Sequence, residues 1–169
     1  MAIDAKTEAS LRMMLDKQEI HEVLMRYCRA VDRMDEELLR SVYHPDAIDN
    51  HGLFNGPAAD FVPWCINQLR EAYLATQHVV ANELIEVDGD KAYCEFYFVA
   101  YHRYERRGEM RHMAAGGRYV DRMERRNGEW RIAVRNVVVD WQRVDRVHEP
   151  DASMLTLGRR SREDLVYQR

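Results

Sequence analysis

The feature that most constrains the fold is a series of four long segments of alternating polarity in the second half of the chain. Each has the length and the two-residue period of a β-strand, and each junction carries a turn signal. Because Gly after Asn or Asp favours a tight hairpin, the pattern predicts an antiparallel meander. The segments are residues 76–87, 91–106, 110–125 and 130–144, joined by Asp88-Gly89-Asp90, Arg107-Gly108 and Asn127-Gly128.

Helical patterns precede the strands. Residues 8–31 carry apolar residues at helical spacing, residues 35–43 predict a second, short helix, and Pro45 should stop it. Residues 46–54 predict a short strand before a Gly52…Gly56 turn, and Pro57 should start a third helix. Three helices before four strands predict an α+β fold with the helices packed on a curved antiparallel sheet. We expect one domain over residues 1–145 and a charged tail, lid or inter-subunit arm over residues 146–169.

Composition excludes several classes of protein. With 25 basic and 29 acidic residues the net charge is -4, so nucleic acid is not an expected partner. The sequence has no apolar run long enough to predict a membrane span, and its first residues lack a signal-peptide pattern. Three widely spaced cysteines, Cys28, Cys65 and Cys94, fit small buried side chains in a reducing compartment, so we expect a cytoplasmic protein. No metal-ligand spacing or phosphate-binding loop is present, and neither a metal nor a cofactor is predicted.

Asp32 and His78 are the candidate catalytic pair. Asp32 follows Cys28 by four residues and therefore continues the apolar stripe of the first helix, whereas His78 lies near the start of the first long strand. If the two meet in an apolar cavity, they form a general base that acts at neutral pH. The alternatives are a structural histidine and a helix-end ion pair of Asp32 with Arg29 or Arg33.

His102 and Tyr119 are the candidates for a second polar group. His102 lies on the apolar, even-numbered face of the second long strand, so it should face the cavity as a proton donor or oxyanion partner. It would otherwise be a buried histidine bonded to a backbone carbonyl. Tyr119 shares a face with Gly117 and Asp121, and would either donate to a substrate oxygen or only wall the pocket.

The remaining candidates concern substrate binding. Tyr27 and Phe98 belong to apolar faces that should line the cavity. Of Asn50 and His51, one should point inward, but the pattern does not distinguish them. Trp141 should be pocket wall or core.

The order of elements resembles the NTF2-like superfamily, whose fold is a cystatin-like cone, and in particular its SnoaL-like group. The similarity extends over residues 15–144. It is carried by the opening helix at residues 20–35, the hairpin at residues 125–132, and the segments Thr76-Gln77-His78 and Tyr101-His102-Arg103-Tyr104. The two histidine segments are similar to those of scytalone dehydratases. Asp32 matches the aspartate of those enzymes and of the His–Asp dyad in hexachlorocyclohexane dehydrochlorinases, whereas His102 matches only the dehydratases.

The resemblance implies proton transfer but not a substrate. Scytalone dehydratases have pocket tyrosines where this chain has Val31 and Asn50, and a serine and an asparagine where it has Gly117 and Tyr119. We therefore expect a cofactor-independent lyase, dehydratase or isomerase acting on a small hydrophobic, aromatic compound by loss of water, halide or formaldehyde. A non-catalytic binder of hydrophobic ligands and a structural subunit of a ring-hydroxylating dioxygenase are the alternatives.

The outer face of the second long strand predicts self-association. Tyr93, Tyr97, Val99 and Tyr101 alternate with the inward residues and are too aromatic for a solvated surface. A homodimer or homotrimer is therefore expected.

Overall fold

The computed structural model describes residues 3–147, 153 and 156–168. Within these residues the chain forms three α-helices, six β-strands and a short 3-10 helix, Leu165–Tyr167, which confirms the predicted α+β class. The helices are α1 (Ala5–Arg33), α2 (Glu36–Ser41) and α3 (Ala58–Ala72), and the strands are β1 (Tyr43–Asn50), β2 (Asn55–Pro57), β3 (Ala75–Asp88), β4 (Lys91–Arg106), β5 (Glu109–Arg126) and β6 (Glu129–Arg146). No described helix is long and apolar enough to cross a membrane.

The described strands form one sheet in the order β2-β1-β6-β5-β4-β3. The hairpins that join β3 to β6 turn at the predicted junctions, and Asn127 and Gly128 both take the positive φ angles that this turn needs, 55° and 84°. β4 and β5 therefore each pair with two strands that are adjacent in sequence, whereas β6 also pairs with the distant strand β1.

The four long strands pair antiparallel, as predicted, whereas the short strand β1 pairs with β6 in parallel. The predicted bounds of this short strand were wrong. The strand begins at Tyr43 and contains Pro45, which the sequence pattern placed after a helix end. Proline cannot donate to a strand neighbour, and the β1–β6 register is irregular between Tyr43 and Ile48, where Pro45 lies.

The helices cover one face of the sheet. In β4 the even-numbered residues from Ala92 to His102 are buried and Tyr93, Tyr97 and Tyr101 are exposed, as the alternation predicted. α1 packs against β3, and α3 packs against β1. The inner face and the helices bury one apolar cluster that includes Ile20 and Leu24 of α1.

Part of the tail lies against the C-terminal ends of α1 and α3. Arg160 donates to the carbonyl oxygens of Leu69, at 2.8 Å, and of Tyr73, and the Tyr167 hydroxyl donates to Asp35 at 2.8 Å. The apolar residues Met154 and Leu155 lie outside the described residues. A role for the tail as a lid or an inter-subunit arm remains a prediction.

Candidate active site

A cavity of about 490 Å³ opens between the helices and the inner face of the sheet. Its volume is within the range of small-molecule sites. Apolar side chains form most of its wall, among them Val31, Phe98 and Val137. Three histidines of the described part of the chain also line it: His51, His78 and His102.

Asp32 and His78 are in direct contact at one side of this cavity. His78 Nδ1 lies 2.7 Å from Asp32 Oδ1, and the backbone N–H of His78 donates to Asp32 Oδ2 at 2.9 Å. The two side chains are only 9% and 10% exposed. The two contacts fix both the position of the strand and the orientation of the ring, and no described residue bonds to His78 Nε2.

The position of Asp32 follows from helix geometry. Asp32 lies in the last turn of α1, on the stripe that also buries Cys28 and Val31. Its carboxylate accepts from β3, so the alternative of an ion pair with a neighbouring arginine was wrong. Arg33 instead donates to the backbone carbonyl of Asp32 and pairs with Asp164 at 3.6 Å.

His102 lies in the cavity wall beside His78. The ring centroids are 5.5 Å apart in an edge-to-face arrangement, and the ring of Tyr73 lies 4.5 Å from His102 on another side. Burial, followed by the nearby His78, lowers the pKa of His102 to about 4, so the ring is neutral at neutral pH. Its Nδ1 is buried and has no hydrogen-bond partner among the described residues.

Tyr119, Tyr27 and Phe98 all line the cavity, where the sequence pattern placed them. Tyr119 stacks on Phe98 with ring centroids 4.4 Å apart. Burial raises the pKa of both tyrosines well above the ordinary value, so each keeps its hydroxyl proton.

Arg135 is a buried cation that the sequence reasoning missed. Its guanidinium lies 4.2 Å from the ring centroids of both Tyr27 and Tyr119, and it makes two hydrogen bonds to Asp121, at 3.0 and 2.6 Å. Asp121 and Arg135 face each other across β5 and β6. The alternation of β6 could have predicted Arg135, because it shares a strand face with Val137, a residue of the cavity wall.

The structure distinguishes the two candidates at the end of β1. His51 lines the cavity, whereas Asn50 does not and donates instead to Asn136 at 2.8 Å. The assignment of Asn50 to substrate binding was therefore wrong. Asn50 and Asn136 are paired across β1 and β6, so their side chains share the opposite face of the sheet.

Trp141 was also assigned wrongly, since it is 48% exposed and belongs neither to the cavity wall nor to the core. The reason is a β-bulge. Gly117 pairs with Val139 and Gly116 with Trp141, so Asp140 is an extra residue that reverses the alternation of β6. Val139, before the bulge, lines the cavity on the same face as Val137, and after the bulge Gln142 rather than Trp141 lines it.

Several solved structures of other proteins have a similar fold. A hexachlorocyclohexane dehydrochlorinase, LinA-type3 from Novosphingobium barchaimii, is 17% identical with a TM-score of 0.69, and the match covers 83% of this chain and 96% of that one. A scytalone dehydratase-like protein from Novosphingobium aromaticivorans is 19% identical with a TM-score of 0.68, covering 81% and 91%. The protein Kfla4162 from Kribbella flavida is 20% identical with a TM-score of 0.70, covering 78% and 95%. At these identities the likeness establishes the fold alone.

Sequence comparison gives the family. No curated protein matches the chain. The profile of the SnoaL-like domain matches residues 12–136, which include Asp32, His51, His78 and His102. The chain therefore belongs to the SnoaL-like family of the NTF2-like superfamily.

Proposed function

We propose that the protein is a lyase of the dehydratase or elimination type, in which His78 removes a proton from a small hydrophobic, aromatic substrate. The observation that carries the proposal is the 2.7 Å contact between His78 Nδ1 and Asp32 Oδ1 in the wall of an apolar cavity. Eliminations described for proteins of the same fold agree with it.

In the proposed mechanism each member of the pair has its own task. Asp32 accepts a hydrogen bond from the Nδ1–H group of His78, so Nε2 is the nitrogen that is free to act as a base. The negative charge of Asp32 stabilises the imidazolium that forms when Nε2 takes a proton. Nε2 then takes a proton from the substrate carbon. Neutral His102 and protonated Tyr119 are hydrogen-bond donors for negative charge that develops on the substrate.

The first test uses nitrobenzisoxazole as the substrate. When a base removes its carbon-bound proton, the ring opens and the product is a coloured phenolate. We expect His78→Gln to lower kcat/KM by about 10²- to 10⁴-fold, the usual contribution of a general base. Asp32→Asn should cause a comparable loss, because an amide donates to Nδ1 and so places the ring proton on Nε2. An asparagine oxygen can still accept the backbone N–H of His78, so the melting temperature should change little.

A matched control is present on the surface. His21 Nδ1 lies 2.7 Å from Glu83 Oε1, the same separation as in the cavity pair, but the two side chains are 37% and 24% exposed and lie outside the cavity. His21→Gln should keep the native rate. Full activity in His78→Gln would refute the proposal, and tight binding of the probe without turnover by the native protein would favour a hydrophobic-ligand carrier.

A further inference from the structure

His51 lines the same cavity and forms a second imidazole–carboxylate pair with Asp49 behind it. His51 Nδ1 lies 3.1 Å from Asp49 Oδ1, and the His51 side chain is 29% exposed whereas the Asp49 side chain is fully buried. The other oxygen of Asp49 accepts the Tyr43 hydroxyl at 2.6 Å. These contacts orient His51 in the way that Asp32 orients His78, yet elimination by one base makes no use of them.

The His51 ring is held firmly. It stacks on Phe61 with ring centroids 5.0 Å apart and an interplanar angle of 23°. The backbone N–H of His51 donates to the Phe54 carbonyl at 2.7 Å. With Nδ1 bound to Asp49, Nε2 has no hydrogen-bond partner among the described residues and is available to a molecule in the cavity.

The surroundings of His51 place a negative charge beside the ring. The Asp49 carboxylate lies directly against the ring and balances the charge of an imidazolium. Burial and the charge of Asp49 raise the pKa of Tyr43 well above its ordinary value, so Tyr43 remains a donor to that carboxylate. His102, by contrast, has no carboxylate in hydrogen-bond contact among the described residues, and burial keeps it neutral.

We propose that His51 is the general acid of this site and that the substrate therefore loses an oxygen leaving group, as water or an alcohol. This inference rests on the proposed function and narrows its substrate class. His78 Nε2 takes the proton from carbon, the C–H electron pair becomes the C=C bond, and the C–O bond breaks with its electrons going to oxygen. His51 Nε2–H gives its proton to that oxygen. Water then carries the proton from His78 to solvent and returns one to His51, so the cycle closes.

The choice of leaving group follows from acidity. A halide leaves as a stable anion and gains nothing from a proton donor, whereas hydroxide and alkoxide are poor leaving groups until they are protonated. A proton donor in the same cavity as the base is therefore useful for a hydroxyl or alkoxy substituent, placed β to a carbonyl or aryl group that acidifies the C–H bond.

The test is a series of β-aryloxy ketones whose leaving phenols range from para-nitrophenol to the much less acidic para-methoxyphenol. In the native protein we expect the elimination rate to depend weakly on leaving-group acidity. In His51→Gln the elimination rate should fall further below the native rate as the leaving phenol becomes less acidic. For para-methoxyphenol the decrease should be about 10²-fold or more. His78→Gln should lower all members by a similar factor, and His21→Gln should match the native protein.

The outcomes separate the two proposals. A uniform loss in His51→Gln, or none, would overturn the acid role while leaving the His78 base in place. Absence of any His78-dependent elimination across the series would refute the proposed function itself. A second readout needs no variant: a solvent deuterium isotope effect in the native protein should be larger for para-methoxyphenol than for para-nitrophenol, and equal effects would contradict proton transfer to the leaving oxygen.

Discussion

The three cavity histidines differ through the groups that contact them. His78 and His51 each have Nδ1 on a carboxylate, at 2.7 and 3.1 Å. His102 has aromatic and imidazole neighbours instead. One residue type thus provides two imidazoles that contact a carboxylate and one, His102, that burial keeps neutral.

The lowered pKa of His102 predicts a pH-dependent stability. In the unfolded chain the ring titrates near its ordinary value of 6.5, and in the fold the pKa is about 4. Between these values the unfolded state binds more protons, so stability is lost as pH falls through this window. We expect this residue to make the free energy of unfolding lower by about 2 kcal/mol at pH ~5 than at pH ~7.

Urea unfolding gives the free energy of unfolding of the native protein and of His102→Gln at both pH values. The contribution of His102 is the pH-dependent change in the native protein minus the change in the variant. The remaining titratable groups, including His78, Asp32 and Arg160 that face His102, are common to both proteins. An identical pH dependence in the two proteins would show that His102 is not the neutral, buried group described above.

At the scale of elements, the packing of β5 on β6 depends on two adjacent glycines. A Cβ on Gly117 would collide with the backbone carbonyl of Val138, next to the Asp140 bulge, whereas the three atoms nearest to a Cβ on Gly116 all belong to the indole of Trp141. A half-exposed side chain can rotate away, but a backbone carbonyl can move only if the strand pairing shifts.

The two glycines should therefore respond differently to substitution. We expect Gly117→Ala to reduce the free energy of unfolding by about 3 kcal/mol or more, and Gly116→Ala by about 1–3 kcal/mol. Adding Trp141→Ala should recover most of the unfolding free energy that Gly116→Ala loses, and none of what Gly117→Ala loses. Denaturant titration of the single and double variants measures both effects, and rescue of Gly117→Ala by the tryptophan change would contradict the assignment of the clash.

At the scale of the whole molecule, the outer face of the sheet exposes an aromatic band. Tyr93, Tyr97 and Tyr101 are 53%, 46% and 45% exposed, and Val79 and Trp141 are also exposed. An apolar surface of this kind is uncommon on a solvated monomer, so a homodimer or homotrimer remains our prediction.

Sedimentation velocity tests this prediction. Tyr97→Glu places a charge within the aromatic band and should shift the protein towards the monomer. Met14→Glu is the control, because it makes a similar change at an exposed apolar residue of α1. A native protein that sediments as a monomer at all concentrations would show that the band does not mediate self-association.

The sequence by itself determined the features that depend on local periodicity. The stripe of α1 turned Asp32 inward, the alternation of β4 placed Phe98 and His102 on the inner face, and Asn127-Gly128 located a hairpin. Each follows from the steric repeat of one helix or strand, or from the backbone preference of two residues, and needs no knowledge of distant contacts.

Only the tertiary structure decided the features that depend on pairing between distant segments. The parallel contact of β1 with β6 left His51, rather than Asn50, against the cavity, and the bulge at Asp140 turned Trp141 outward. The buried Arg135–Asp121 pair likewise required the register of two strands. A one-residue change in pairing reverses the face of every residue beyond it, and that change is set by the packing of the whole sheet rather than by any local pattern.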